Sequence, residues 1–366
     1  MNRHDIRANE SATLSTLKAI NSKLFMLEYK GDYGLDELLE RGSKDILSTV
    51  RFLQKRVRRL TPAINPLPGG FACSAFNTEN GSGQPIMGRN FDYKESPCIV
   101  CWTAPKNGFR SMSTLTANFM LYGIKHQRLD RAKRPLRLMG APFVCMDGIN
   151  EKGLAIAILE IKAKPTKQSA GRTPIIPPVA VRAALDKCSN VNEAVRLFSK
   201  YDMQDLIGVN YHYFIADASG ASAIIEYVDN EMKVLPQQKQ CENLVLTNYF
   251  LSEGGDNTKG RGFDRFRSIS DRLGECGYSL SEEEAMQLLS RNTLFYHHKW
   301  MPHMVKTVWS TVFNCAERTQ LTCAGMDYGT AYRFALDAPC RFEAVRRSAG
   351  EDGGIAAGKE RGRDDK

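Results

Sequence analysis

Residues 61–70, TPAINPLPGG, carry three prolines and two glycines in ten positions and divide the chain into two unlike parts. Such a stretch cannot continue a helix or enter a sheet centre, so it reads as an exposed, extended linker. It ends immediately before FACSAF, where the texture changes to short apolar runs. The part before the linker reads as helical, and the part after it reads as a sheet-rich body.

Upstream, residues from about Ser11 to Leu60 read as helical. Leu14, Leu17, Ile20, Leu24 and Met26 recur near helical spacing, as do Leu35, Leu38, Leu39, Ile46, Val50, Leu53 and Val57. The glycines of KGDYGLDE interrupt the run, which predicts two helices rather than one. Downstream, FACSAF, QPIMGRNFDY, PCIVCWTA, PFVCMDGI, GLAIAILEI, YHYFIADA, SAIIEYV, MKVLP and NLVLTNY are strand-like runs bounded by Gly, Pro, Asn or Asp. PPVAVRAALDKCSNVNEAVRLFSKY predicts two helices, the second opening at Asn190 or Asn192. FDRFRSISDRLGE and SEEEAMQLLSRN predict two more, the last with Ser281 and acidic residues at its start. Strands in blocks with helices between them indicate an α+β layered fold. The expected organisation is 1–72 helical pro-segment and linker, 73–345 body, and 346–366 a charged, Gly-rich tail expected to be disordered.

Composition narrows the function classes. Through Ala72 there are 12 basic against 8 acidic residues, and the rest of the net charge of +9 is spread over nearly 300 positions. A dispersed excess is solvated surface and does not suggest a nucleic-acid module. No window reaches the ~18 consecutive apolar residues a membrane span needs, and the first twenty residues lack a signal-peptide core. The expectation is a cytoplasmic protein. Its ten cysteines show no compact spacing and read as mostly buried thiols rather than a disulfide framework. Cys98-Ile-Val-Cys101 lacks the second pair a zinc site would want, and His297, His298 and His303 lack a carboxylate at ligand spacing. No metal and no cofactor is therefore expected, and the missing Gly-x-Ser-x-Gly elbow weakens a serine-hydrolase reading.

Cys73 stands where linker meets strand, and Arg89, sixteen residues later, lies in Gly88-Arg89-Asn90-Phe91-Asp92-Tyr93. If the two runs pair antiparallel, Arg89 and Asp92 return to the level of Cys73. Cys-Ser…Gly-Arg-Asn-Phe-Asp-Tyr resembles the start of the mature choloylglycine hydrolase family, which includes bile salt hydrolases and penicillin V acylases and is related to acid ceramidase-type amidases. Further landmarks come in order: Asn150-Glu151-Lys152-Gly153-Leu154, Leu246-Thr247-Asn248, Asp264-Arg265-Phe266 and Ser310-Thr311-Val312-Phe313. Each alone is weak; together they run from Cys73 to about Phe334.

The resemblance implies a four-layer αββα sandwich of the N-terminal-nucleophile class. It also implies autocleavage between Ala72 and Cys73, since the free α-amino group, with an ordinary pKa of about 7.7–8.0, is the base such enzymes use. Cys73 would be the nucleophile, Asp92 would orient the α-amino group, and Arg89 would favour the thiolate. Asn150 and Asn248 would donate to the oxyanion, and Arg265 would hold the inner network or a substrate carboxylate. Bland readings stand beside these: Arg89 and Asp92 as a structural ion pair, Asn150 and Asn248 as turn residues, Arg265 as a surface helix residue. The long pro-segment is more like that of acyl-CoA:isopenicillin N acyltransferase than like bile salt hydrolases. Only sixteen residues separate Asn248 from Arg265, so the bile salt hydrolase excursion and tetramer are not expected. The implied substrate is a small N-acyl amide outside peptides, opened through a thioester. Acyl transfer to an amine and an inactive binding protein are the alternatives. The pro-segment, with apolar helical faces to bury, is expected to stay as a subunit, and a homo-oligomer is left open.

Overall fold

The linker's downstream edge becomes strand β3 (Ala72–Glu79), which turns at Asn80–Gln84 and returns antiparallel as β4 (Pro85–Lys94). The computed structural model describes residues 3–57, 72–121, 135–205, 208–237, 244–297 and 304–346; the linker 61–70 and the tail 347–366 lie outside them. Before β3 come α1 (Arg3–Ser15), β1 (Lys18–Ala19), β2 (Leu24–Glu28), α2 (Leu35–Arg41) and α3 (Ile46–Arg56). After β4 come β5 (Cys98–Thr103), β6 (Ser111–Thr116), α4 (Asn118–Leu121), a 3-10 segment (Pro135–Phe143), β7 (Asp147–Asn150) and β8 (Ala155–Ile161). The chain continues through β9 (Thr173–Ile175), α5 (Pro177–Lys187), α6 (Val191–Phe198), β10 (Tyr201–Met203), β11 (Asn210–Ala216), β12 (Ser222–Val228), β13 (Glu231–Pro236) and β14 (Val245–Leu246). It closes with α7 (Phe263–Glu275), α8 (Glu282–Arg291), β15 (Phe295–His297), β16 (Met304–Asn314), β17 (Thr319–Ala324), β18 (Thr330–Ala335) and β19 (Glu343–Arg346).

Two large sheets result. One has nine strands in the order β1-β2-β5-β6-β7-β8-β11-β12-β13, and the other has the order β14-β3-β4-β16-β17-β18-β19 with β15 on β16. Helices α5 and α6 cover the first sheet, and α7 and α8 cover the second, so the layers run α, β, β, α. Alternation along β3 shows how the pleat sorts residues: Cys73 and Ala75 join the principal core, whereas Phe76 joins a second core with Ile269, Leu273 and Leu289 beneath α7 and α8. Gly88 lies opposite Phe76, and a Cβ there would stand 2.5 Å from the Phe76 ring, so this position takes only glycine. The helix starts obey local chemistry. Asn190 accepts from Glu193 N at 3.0 Å, and Ser281 forms a capping box with Glu284.

The N-terminal segment departs from the all-helical expectation. Leu24–Glu28 is a strand, parallel to β5 from Leu24 opposite Cys98 to Glu28 opposite Trp102. Its physical reason is that LFMLE is apolar on successive positions, so both faces bury, which suits a strand joined to a covered sheet better than a one-faced helix. Thr16 Oγ1 accepts from Glu28 N at 2.9 Å and Thr13 Oγ1 from Lys30 N at 2.9 Å, tying α1 to this strand. Tyr33, only 2% exposed, inserts its hydroxyl onto Asp186 of α5, which pairs with Arg182 at 2.8 Å. The segment before the linker is thus a structural member of the sheet and core.

One buried acid predicts a pH effect on stability. Asp205 is 1% exposed and its carboxylate accepts from Thr166 N at 2.9 Å, but burial pushes its pKa up to about 7. A raised folded value means that this group's contribution is complete at low pH and drains away as pH rises towards 7. The loss between pH 5 and pH 8 should be about 3 kcal/mol. Thermal unfolding of the parent and of Asp205→Asn at both pH values checks this, since the variant should lose that part of the pH dependence. Equal pH dependence in the two proteins would contradict it.

Candidate active site

Cys73 lies in β3 with no exposed surface, and its three polar atoms are each engaged. Its backbone N donates to Asn248 Oδ1 at 2.8 Å, its carbonyl accepts from Arg265 Nη2 at 3.1 Å, and its Sγ accepts from Arg89 Nη2 at 3.5 Å. The β3–β4 register explains who arrives. Ala75 is opposite Arg89, so Arg89 shares the Cys73 face of the sheet; Ala72 is opposite Asp92, so Asp92 takes the other face. There Asp92 meets α7, whose Arg265 Nη1 donates to Asp92 Oδ2 at 2.6 Å, while Thr307 of β16 donates to Oδ1 at 2.6 Å. Arg265 also donates to Asn248 Oδ1 at 3.0 Å, closing a ring of Cys73, Asn248 and Arg265 with Asp92 attached through Arg265.

Arg89 is fully buried and paired with Asp147 of β7. It also donates to Ile158 O at 3.0 Å and lies over the Phe91 and Trp309 rings at 4.8 and 5.5 Å. Asp147 accepts in addition from Trp309 Nε1 at 2.9 Å. Burial pushes the Cys73 thiol above its ordinary value; the Arg89 cation pulls it back without reversing the shift. Burial likewise lifts the Asp92 carboxyl, against the pull of Arg265 and Thr307. The sulfur is therefore a thiol beside a cation, a group that can become a thiolate once a proton acceptor is supplied.

The structure gathers Cys73, Arg89, Asp92, Asn248 and Arg265, and leaves Asn150 apart. The Asn150 carboxamide donates to Leu185 O at 2.9 Å and Cys188 O at 2.7 Å, the last turn of α5, and accepts from Lys152 N and Leu154 N at 3.0 and 3.1 Å. All four of its hydrogen-bonding positions are filled, so it offers nothing to an oxyanion here. Its role is to turn β7 into β8 and hold α5 on the sheet. Asp92, expected at the nitrogen of Cys73, holds Arg265 and Thr307 instead, and Asn248 takes the nitrogen. The Asn248 amide donates to Glu160 O at 2.7 Å, which spends one of its two N–H groups. Asp147, Thr307 and Glu160 do not stand out in the sequence, because a lone Asp, Thr or Glu inside a strand carries no pattern. Cys98 and Cys101 are free, buried thiols of β5.

Sheets facing each other between helical layers, with a cysteine at the start of an inner strand, define the N-terminal-nucleophile hydrolase class. Two structures of conjugated bile acid hydrolase variants from Clostridium perfringens share the fold. The first has 14% identity and a TM-score of 0.52, and the second 15% and 0.53; each covers 75% of this chain and 97% of that one. Penicillin V acylase from Agrobacterium tumefaciens aligns at 21% identity and a TM-score of 0.48, over 69% of this chain and 83% of that one. No curated protein sequence matches. Residues 77–327 match the family model of acyl-coenzyme A:6-aminopenicillanic acid acyl-transferase, and the chain belongs to that family. The match takes in Arg89, Asp92, Asn248 and Arg265 and begins just after Cys73. Acyl transfer is the activity for which this family is named.

Proposed function

We propose that the chain cuts itself between Ala72 and Cys73 and that the mature Cys73 acylates and deacylates on small N-acyl amides. The observation that carries this reading is the engagement of all three polar atoms of Cys73, with Arg89 on its sulfur. In the first step the sulfur attacks the Ala72 carbonyl carbon as its thiol proton leaves. The C–N bond breaks, nitrogen gains a proton to become the α-amine, and water then splits the thioester into the Ala72 carboxylate and the free thiol.

The freed amine then stands on Asn248 Oδ1 and serves as the base the site lacked. It takes the thiol proton while the thiolate adds to the substrate carbonyl. The remaining N–H of Asn248 donates to the oxyanion, and the protonated amine returns its proton to the leaving nitrogen. Water completes hydrolysis, whereas an amine in its place completes acyl transfer. Arg265 keeps Asn248 and the Cys73 carbonyl in register while it neutralises Asp92.

Related proteins are named for conjugated bile acids, penicillin V, and acyl-coenzyme A with 6-aminopenicillanic acid, and this is the panel for the first test. Acid and amine released from an amide with no acceptor present would establish hydrolysis. A new amide formed only when 6-aminopenicillanic acid is added would establish transfer. No turnover and no labelling of Cys73 by a thiol-directed acylating reagent would sink both in favour of an inactive scaffold.

The cut segment stays seated in this reading, because β2 is hydrogen-bonded into the nine-stranded sheet and Tyr33 is locked on Asp186. Tyr33→Phe leaves Asp186 short of one donor and should cost about 1–3 kcal/mol in thermal or denaturant unfolding. Native mass spectrometry should find both chains in one particle, and a native particle lacking the 72-residue chain would refute retention.

A further inference from the structure

His212 of β11 and Glu226 of β12 are fully buried neighbours that the chemistry above does not use. His212 Nδ1 lies 3.1 Å from Glu226 Oε1, and Nε2 lies 2.7 Å from Thr247 O. Glu226 Oε1 also accepts from Leu251 N at 3.0 Å, and Oε2 from Ser252 N at 2.8 Å. The two side chains therefore grip the peptide on both sides of Asn248: the carbonyl just before it, and the two amides beyond Phe250. The Asn248 backbone itself pairs with Arg261 in both directions, at 3.2 and 3.1 Å.

The partners dictate the protonation. A carbonyl oxygen only accepts, so Nε2 carries a hydrogen on Thr247. A carboxylate that already takes two backbone N–H groups also only accepts, so Nδ1 carries one too. Both ring nitrogens then donate, one to each partner. Burial acts to raise the Glu226 carboxyl, and His212 together with the hydrogen bonds from Ser252 and Leu251 more than reverses it, leaving it below its ordinary value. The groups facing the pair are the Tyr249 phenol and Lys233 of β13, which lies opposite Glu226 and is held by Glu231 at 2.7 Å; from β8 the facing residue is Leu159.

We infer that His212 and Glu226 are a positioning pair, whose shared proton fixes the 247–252 turn and so aims the Asn248 carboxamide at Cys73. The inference rests on the reading of Asn248 given above. Removing the His212 ring frees the Thr247 carbonyl and leaves the Glu226 carboxylate unpaired in the core, and the turn loosens. In Glu226→Gln the new amide N–H donates to Nδ1 while its oxygen still accepts from the loop, so the turn stays held and most of the burst rate is kept.

The test uses processed protein and 4-nitrophenyl phenoxyacetate, reading the burst of nitrophenolate as Cys73 is acylated. His212→Ala should slow the burst about 10- to 100-fold with little change in half-saturation, and should add nothing in an Asn248→Ala background. The same loss in both backgrounds, or no loss, overturns the inference. Nitrogen NMR of the His212 ring in uncut Cys73→Ala protein supplies a readout free of activity. It should show two protonated nitrogens, donating to Glu226 and Thr247, and only one in Cys73→Ala/Glu226→Gln. A ring with a bare nitrogen in the former overturns the pair. If Asn248→Ala alone leaves the burst unchanged, the reading of Asn248 fails, and the ring measurement still decides the pair by itself.

Discussion

Cys73→Ala should yield an uncut 366-residue chain with activity on any N-acyl substrate reduced about 10⁴-fold or more. Two functions are lost together, because the sulfur that opens the Ala72–Cys73 bond is the sulfur that later carries the acyl group. The fold should survive, since alanine removes one buried sulfur and leaves the Cys73 backbone paired with β4 on one side and held by Asn248 and Arg265 on the other. Loss of activity therefore should not track loss of thermal stability. The parent adds a pH signature. Burial holds its thiol above the ordinary range, so the thiolate is scarce near neutrality. Cleavage of freshly made precursor should quicken about tenfold per pH unit while the thiol is mostly protonated. A Cys73→Ala chain cut at the same bond would exclude Cys73 as the agent of cleavage.

Arg89→Leu should damage both stability and chemistry, and a second substitution should separate the two. The guanidinium neutralises Asp147 inside the core, with neither side chain exposed. Removing it leaves a buried carboxylate held only by Trp309 and should cost about 3–5 kcal/mol. Asp147→Asn added to Arg89→Leu removes the orphan charge and keeps an acceptor for Trp309 Nε1, so most of that loss should return. Processing should not return with it, because the cation 3.5 Å from Cys73 Sγ is still missing. Denaturant unfolding and a time course of intact mass, run on the single and double variants, check the two halves. Recovery of processing along with stability would make Arg89 a purely structural residue.

Much of the fold is legible in the sequence because its strands and helices announce themselves locally. The β3–β4 hairpin is the clearest example: the sixteen-residue spacing from Cys73 to Arg89 and the turn at Asn80–Gln84 suffice to bring the two strands together. The helices opening at Asn190 and Ser281 carry their caps in the sequence. The features that escape are set by distant partners. Leu24 and Met26 fit a helical spacing, yet they lie in a strand because β5, some seventy residues away, offers an edge to pair with. Asn150 has the right motif around it, but the C-terminal carbonyls of α5 claim its amide. Thr307 and Asp147 reach the site through β16 and β7, and nothing in their local sequence distinguishes them from other buried polar residues.

Intact mass spectrometry of the freshly purified protein, under denaturing conditions, bears most directly on the central claim. The account predicts two chains, one ending at Ala72 and one beginning at Cys73 with a free α-amine. A single uncut chain that nonetheless turned over an N-acyl amide would contradict it, because Cys73 would then be working without the amine that the mechanism requires.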